Sequence, residues 1–149
     1  MLKIIVPVIL LSALAACSML TLHPANFAWP IESVLPVNGD GIVMEDRYSI
    51  EFNTAGLFFE EFQDSSSYSG NSIRMIRDNG GYYYITGSNF KNVYVFRADE
   101  GAFVLHNKIF ISEFGIEEPV FNQRAPYIEL IDSGKKIKLT NSGIDGGNK

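Results

Sequence analysis

The chain has 149 residues, of which 46% are apolar and 13% aromatic, with a formal net charge of −5. That length supports one domain, since independent cores occupy about 100–150 residues. The composition excludes disorder for most of the chain. With 13 Gly and a single Cys, collagen-like and disulfide-scaffold classes are excluded too. The acidic balance speaks against a nucleic-acid partner.

Met1-Leu2-Lys3 sets one positive charge ahead of an apolar run from Ile4 to Ala16, interrupted only by Pro7 and Ser12. The run suits the apolar region of a helical N-terminal signal peptide and falls short of the roughly 20 residues that span a bilayer. It closes on Leu14-Ala15-Ala16-Cys17, small residues followed by the one cysteine of the chain. Here, from Met1 to about Ser18, the sequence resembles bacterial lipoprotein precursors, whose lipobox ends in the Cys that becomes the first mature residue. The resemblance implies cleavage between Ala16 and Cys17, and lipidation of Cys17 by a diacylglyceryl thioether and an acylated amine. It also implies that Ser18, in place of an Asp, directs the protein to the outer membrane; the expected address is that membrane, on its periplasmic side. The rival readings are an uncleaved anchor from Ile4 to about Leu22, or a secretion signal leaving Cys17 as a free thiol. A lone thiol in an oxidising compartment is a liability. Several acyl chains anchor stably where one does not.

Residues 17–28 then read as the lipidated Cys and a tether, residues 29–141 as a β domain, and residues 142–149 as a flexible tail. Charge is uneven along the mature chain. From Ser18 to Asn71 eight acids face Arg47 alone, whereas from Ser72 onward nine acids face ten bases. An acidic half can steer a basic partner, although most such runs are solvated surface.

Trp29 is expected to open the fold as a core anchor. Ser33–Val37 and Ile42–Glu45 flank Asn38-Gly39-Asp40-Gly41 and are expected to form a hairpin. Arg47–Phe52 alternates, with Tyr48, Ile50 and Phe52 on one face, and reads as a half-buried strand. Leu57–Phe62 is expected as a short strand rather than a helical turn, and Gln63–Asn71 as a loop. Strands follow at Ser72–Arg77, Tyr82–Thr86, Asn92–Arg97 and Ala102–His106, the last extended by Lys108–Ser112. Phe114–Pro126 is expected to be loop, because Pro119 and Pro126 bar a long helix. Tyr127–Ile131 and Lys136–Thr140 form the closing hairpin. The fold class is therefore all-β, an antiparallel meander of about eight to ten short strands, closed as a small barrel or folded as a sandwich. The stretch Tyr82–Val104, YYYITGSNFKNVYVFRADEGAFV, looks like one blade of a β-propeller. The chain is too short for the four or so blades a propeller needs, so the likeness implies no fold.

Chemistry is sparse. Histidine occurs only at His23 and His106, and no Gly-x-Ser-x-Gly elbow presents a nucleophile. No His/Cys cluster suits zinc or haem. The tetrad at Asn38–Gly41 lacks the calcium-loop ligands, with Pro36 and Arg47 in the key slots. No metal and no cofactor are therefore expected, and no catalytic residues. The acid pairs Glu60-Glu61, Asp99-Glu100 and Glu117-Glu118 each point to opposite faces if on a strand. The one feature that suggests a ligand site is the aromatic set Tyr82, Tyr83, Tyr84, Tyr94 and Phe96. In it Tyr82 with Tyr84, on the face opposite Tyr83 and Ile85, would make a platform suited to a glycan or protein partner if open to solvent. Lys135, Lys136 and Lys138 either guard a hairpin edge or touch anionic headgroups. The functional expectation is a lipid-anchored envelope module that binds or scaffolds an envelope protein or glycan without catalysis. Alternatives are an inhibitor or immunity-type lipoprotein that blocks an envelope enzyme, and a small carboxylate-dependent glycan hydrolase using Glu117 and Glu118.

Overall fold

The structure, a computed structural model, describes residues 26–66, 68 and 70–146. The signal peptide, Ala16, Cys17 and His23 lie outside the described residues. The chain runs β1 (Ser33–Pro36), β2 (Ile42–Glu45), β3 (Ile50–Asn53), helix α1 (Ala55–Phe62), β4 (Ser72–Arg77) and β5 (Tyr82–Gly87). It continues through β6 (Asn92–Asp99), β7 (Ala102–Phe110), β8 (Pro119–Arg124), β9 (Tyr127–Asp132), β10 (Lys135–Thr140) and β11 (Gly143–Ile144).

The strands form three antiparallel sheets, ordered β1-β4-β5-β6-β7, β11-β10-β9-β8 and β2-β3. The central strands β4–β6 of the first are buried on both faces, as their run of β-branched and aromatic residues requires, whereas β7 at its edge is largely exposed. Register aligns Ile76, Tyr84 and Val95 on one face, and Met75, Ile85 and Tyr94 on the other. The four-stranded sheet covers the first face with Phe121, Ile128, Leu130 and Leu139, all buried. Helix α1 and the β2–β3 hairpin cover the second. Trp29, 1% exposed, anchors that second layer by stacking on Tyr48 at 4.1 Å and meeting Tyr83 edge-on at 5.7 Å.

The architecture is all-β and sandwich-like. It does not close into a barrel: Asn107 donates to the Asn141 carbonyl where β7 nears the end of β10, and on the other side, among the described residues, an isolated bridge Ile31↔Asn122 takes the place of a ladder between β8 and the segment entering β1. Glu32 links the layers at that corner. Its carboxylate pairs with Arg74 on β4 and accepts the Phe121 N–H of β8 at 2.9 Å. Glu61 links α1 to β6, accepting from the Lys91 N–H at 2.6 Å, Asn92 Nδ2 at 2.8 Å and the Tyr94 hydroxyl at 2.7 Å.

Several local expectations need correction. The described residues hold eleven strands, more than the eight to ten expected. Asn38–Gly41 does turn, with Asn38 Oδ1 accepting the N–H groups of Asp40 and Ile42. The turn lifts β2 over the sheet, however, so β1 pairs with β4 and β2 with β3. The strand expected from Arg47 begins at Ile50, because Ser49 adopts a φ of 54° that ends extended backbone. Leu57–Phe62 is the body of α1 and not a strand. Its buried positions Thr54, Leu57 and Phe58 recur at helical spacing, and Gln63 closes it with a left-handed φ of 57°. Phe114–Pro126 is not all loop, since it contains β8. Pro119 opens that strand, a position where a missing N–H is tolerated. The expected tail contains β11, whose Gly143 pairs with Thr140.

Candidate functional site

The tyrosine platform is closed on one side. Tyr84 is 1% exposed, and its hydroxyl donates to Asp78 Oδ2 at 2.9 Å. Tyr94, on the opposite face, is likewise buried with its hydroxyl on Glu61. Burial first, and then the adjacent carboxylate, push both phenols well above their ordinary value of 10.0. Tyr82 is half-buried beside the His106 ring, centroids 4.7 Å apart. Tyr82 and Tyr84 therefore do not form an open pair. The second sheet covers that face, a layer that the alternation of one strand does not reveal.

The concavity lies on the other face of the same strands. A cleft of about 440 Å³ opens between the β2–β3 hairpin and the five-stranded sheet. Ile85 and Tyr83 of β5, Phe96 of β6 and Phe103 of β7 form its floor, Leu57 of α1 closes it, and Ile50 and Phe52 of β3 project from above. Phe103 is the hub, with ring centroids 4.7 Å from Tyr83, 5.4 Å from Phe52 and 6.2 Å from Phe96. Edge-on and tilted rings at these separations attract one another beyond their area burial. Phe52, Phe96 and Phe103 are partly buried within the cleft, packed against the core. Comparison with protein-family models, curated proteins and solved structures returns no match.

The rim is polar and acidic. Ser49, Glu51 and Asn53 lie along β3; on the far wall are Ala98, Gly101 and Ala102, beside the exposed Asp99 and Glu100. No Lys or Arg lines the cleft. Behind the hairpin, Glu45 is 3% exposed and accepts from the Arg47 guanidinium and backbone N–H, both at 3.0 Å. Arg47 reaches on to Ser33 Oγ and the Glu32 carbonyl, fastening the end of β2 to β1. Burial alone would raise the Glu45 carboxyl, but the Arg47 and Ser33 hydrogen bonds outweigh it and hold it below its ordinary value.

Other residues singled out from the sequence fall elsewhere. His106 is exposed on β7, at the irregularity that shifts the β6–β7 register. Glu117 and Glu118 are exposed, their N–H groups donating to Asp132 Oδ1 at 3.0 and 3.1 Å. They border a second, more polar concavity of about 450 Å³ with Arg74, Ser88 and Ser133. Glu60 pairs with Lys108 at 3.3 Å. Lys136 lies 3.8 Å from Glu129, and Lys138 sits over the Tyr127 ring at 5.0 Å, so both lie on the outer face of a strand that β11 covers on its edge. Among the described residues no group of three or more His, Cys, Asp or Glu is placed to hold a metal ion. Among the same residues no helix is long and apolar enough to cross a membrane.

Phe52 and Phe103 are thus the site residues that sequence reasoning passed over, while Phe96 stood in its aromatic set without being placed at a site. Phe96 and Phe103 flank the Asp99-Glu100-Gly101 turn and so share a hairpin, a signal that was available. That β3 hangs above them was not.

Proposed function

We propose that the chain is a lipid-anchored, non-catalytic binding module of the bacterial cell envelope, and that the cleft beneath the β2–β3 hairpin is its ligand site. The observation that carries this reading is a concavity of about 440 Å³ in which the partly buried rings of Phe52, Phe96 and Phe103 converge from three different strands. Apolar surface left in water forgoes about 25 cal/mol per Å². A preformed apolar concavity with a few polar rim groups is the ordinary form of a binding site, and its volume falls in the usual range of about 300–1,000 Å³. The anchor rests on Leu14-Ala15-Ala16-Cys17, and the outer-membrane address on Ser18.

The site is tested with the full chain in phosphatidylcholine nanodiscs, titrated with indole as a neutral, water-soluble probe. Saturable methyl shifts confined to Ile50, Leu57 and Ile85 are expected. Shifts that do not saturate, or that spread over the surface, would overturn the assignment. The anchor is tested separately: a Cys17→Ser chain should lose lipid labelling and persist as the unprocessed precursor. Normal processing of that variant would remove the anchor from the reading.

A further inference from the structure

The hairpin above the cleft has an unused edge. In its two-stranded sheet β3 has β2 on one side and no strand on the other. The phase of the ladder shows which groups face that edge. Thr54 N–H donates to the Gly41 carbonyl at 2.7 Å, and the register continues as Ile42↔Asn53, Val43↔Phe52, Met44↔Glu51 and Glu45↔Ile50. Antiparallel pairs alternate between bonded and non-bonded, so Phe52 and Ile50 spend their backbone groups on β2. Glu51 and Asn53 turn theirs outward. Among the described residues no hydrogen bond reaches the N–H or carbonyl of Glu51. Edge strands are commonly blunted by shortness, by charge, by proline or by a bulge; β3, Ile-Glu-Phe-Asn, is short and carries the single charge of Glu51, but it has no lysine, proline or bulge.

This edge borders the cleft. A strand added beside β3 would place the residues opposite Ile50 and Phe52 on the same face as those side chains, over Phe96, Phe103 and Tyr83. Its intervening residues would point to solvent, among Glu51, Asp99 and Glu100. From this juxtaposition we propose that the cleft binds an extended segment of a partner protein by strand addition to β3. The segment carries apolar side chains at alternate positions and lysine or arginine between them. Backbone bonds to Glu51 and Asn53 supply affinity, the aromatic floor supplies selectivity for the inward residues, and the acids at the rim, Glu51 with Asp99 and Glu100 beside it, select the charge. The proposal rests on the cleft being a ligand site and adds the ligand class and the mode of capture.

The probe is the peptide acetyl-Lys-Val-Lys-Phe-Lys-Val-Lys-amide, titrated by calorimetry against the full chain in phosphatidylcholine nanodiscs, with empty nanodiscs as blank. Saturable one-to-one binding is expected. Methylating the peptide amides that face β3 should weaken it about tenfold or more, because each lost backbone hydrogen bond is worth about a factor of ten. Replacing the four lysines by glutamate should weaken it similarly, and added salt should reduce the lysine form only. Glu51→Pro removes one outward N–H without touching a bond to β2 and should also weaken the peptide about tenfold by the same equivalence, with dispersed amide spectra reporting the intact hairpin. Glu51→Gln separates charge from backbone and should weaken it less than Glu51→Pro. Binding indifferent to amide methylation would overturn strand addition. Absence of peptide binding while indole still shifts Ile85 would overturn the peptide class and leave the cleft as a site for small apolar ligands. If neither probe binds, the ligand-site reading falls with it. Self-association of the free chain that Glu51→Pro abolishes would make a second copy the occupant and overturn the partner segment.

Discussion

The rings of Phe52 and Phe103 meet edge to face, centroids 5.4 Å apart and planes at 86°. Through this contact β3 rests on the floor of the cleft, and it holds the gap open at a fixed height. Phe103→Ala should remove the support and the floor together. Indole-induced shifts at Ile85 should vanish, and stability should fall by about 2 kcal/mol, below the ~3–5 typical of a fully buried Phe. Chemical denaturation beside the indole titration checks both; a variant that binds indole normally would show the floor to be elsewhere.

Glu61 gathers three donors, one of them the buried Tyr94 hydroxyl. Glu61→Ala leaves them without an acceptor and should cost about 2 kcal/mol, while Tyr94→Phe alone should cost about 1 kcal/mol. The two changes share a bond, so the double variant should cost less than their sum. Additive losses in denaturation would mean that α1 is held to β6 by packing alone.

Stability should respond to acid through Glu45. Its carboxyl is held below the ordinary value of 4.5 when folded, so its contribution is present above that value and is lost as pH falls through the lowered one. Glu45→Gln should therefore be less stable than the parent at neutral pH, with the difference shrinking under acid. Arg47→Met should cost about 1–2 kcal/mol, less than for a fully buried pair because the Arg47 side chain is 46% exposed. Melting curves across the acid range decide this. A difference that grows on acidification would refute the sign.

How far all this could be read from the chain depended on which physical signal each residue carried. Ser72–Arg77 and Tyr82–Thr86 were legible because β-branched and aromatic residues between Gly/Asn turns leave few other conformations. Helix α1 was hidden because Glu61 occupies a position on its inward face where an apolar residue would have completed the pattern. The partner of β1 was hidden because a turn tetrad specifies a reversal but not the plane into which the returning strand is delivered. The inward place of Ile50 and Phe52 was legible. That their shared face overhangs a cleft depends on Trp29, Tyr48 and Tyr83 meeting from three segments far apart in sequence.

Alkaline behaviour should report Tyr84 and Tyr94. Both phenols stay protonated in the fold past the ordinary value of 10.0, whereas the unfolded chain releases its protons near it. Stability should therefore fall as pH rises above about 10. The double change Tyr84→Phe and Tyr94→Phe should flatten that fall. Ultraviolet titration should show two tyrosines ionising only on unfolding in the parent; early ionisation of both would contradict their burial.

Gly115 has a φ of 86°, and a Cβ there would meet the Asn89 carbonyl oxygen at 2.8 Å. Gly115→Ala combines a left-handed backbone with a collision against main chain and should cost about 1–3 kcal/mol. It should also loosen the contacts in which Asn89 N–H donates to Ile116 O and Ile116 N–H to Phe90 O. Faster amide exchange at Asn89 and Ile116 checks the location.

Arg77 joins the beginning of the described chain to the cleft. Its guanidinium bonds the Phe27 carbonyl and Asn26 Oδ1, and lies over the rings of both Phe27 and Tyr83 at 4.9 and 5.3 Å. Tyr83 is also part of the aromatic floor. Were the proposed anchor to draw on the N-terminal segment, the pull would arrive at the ring that the proposed guest would press against.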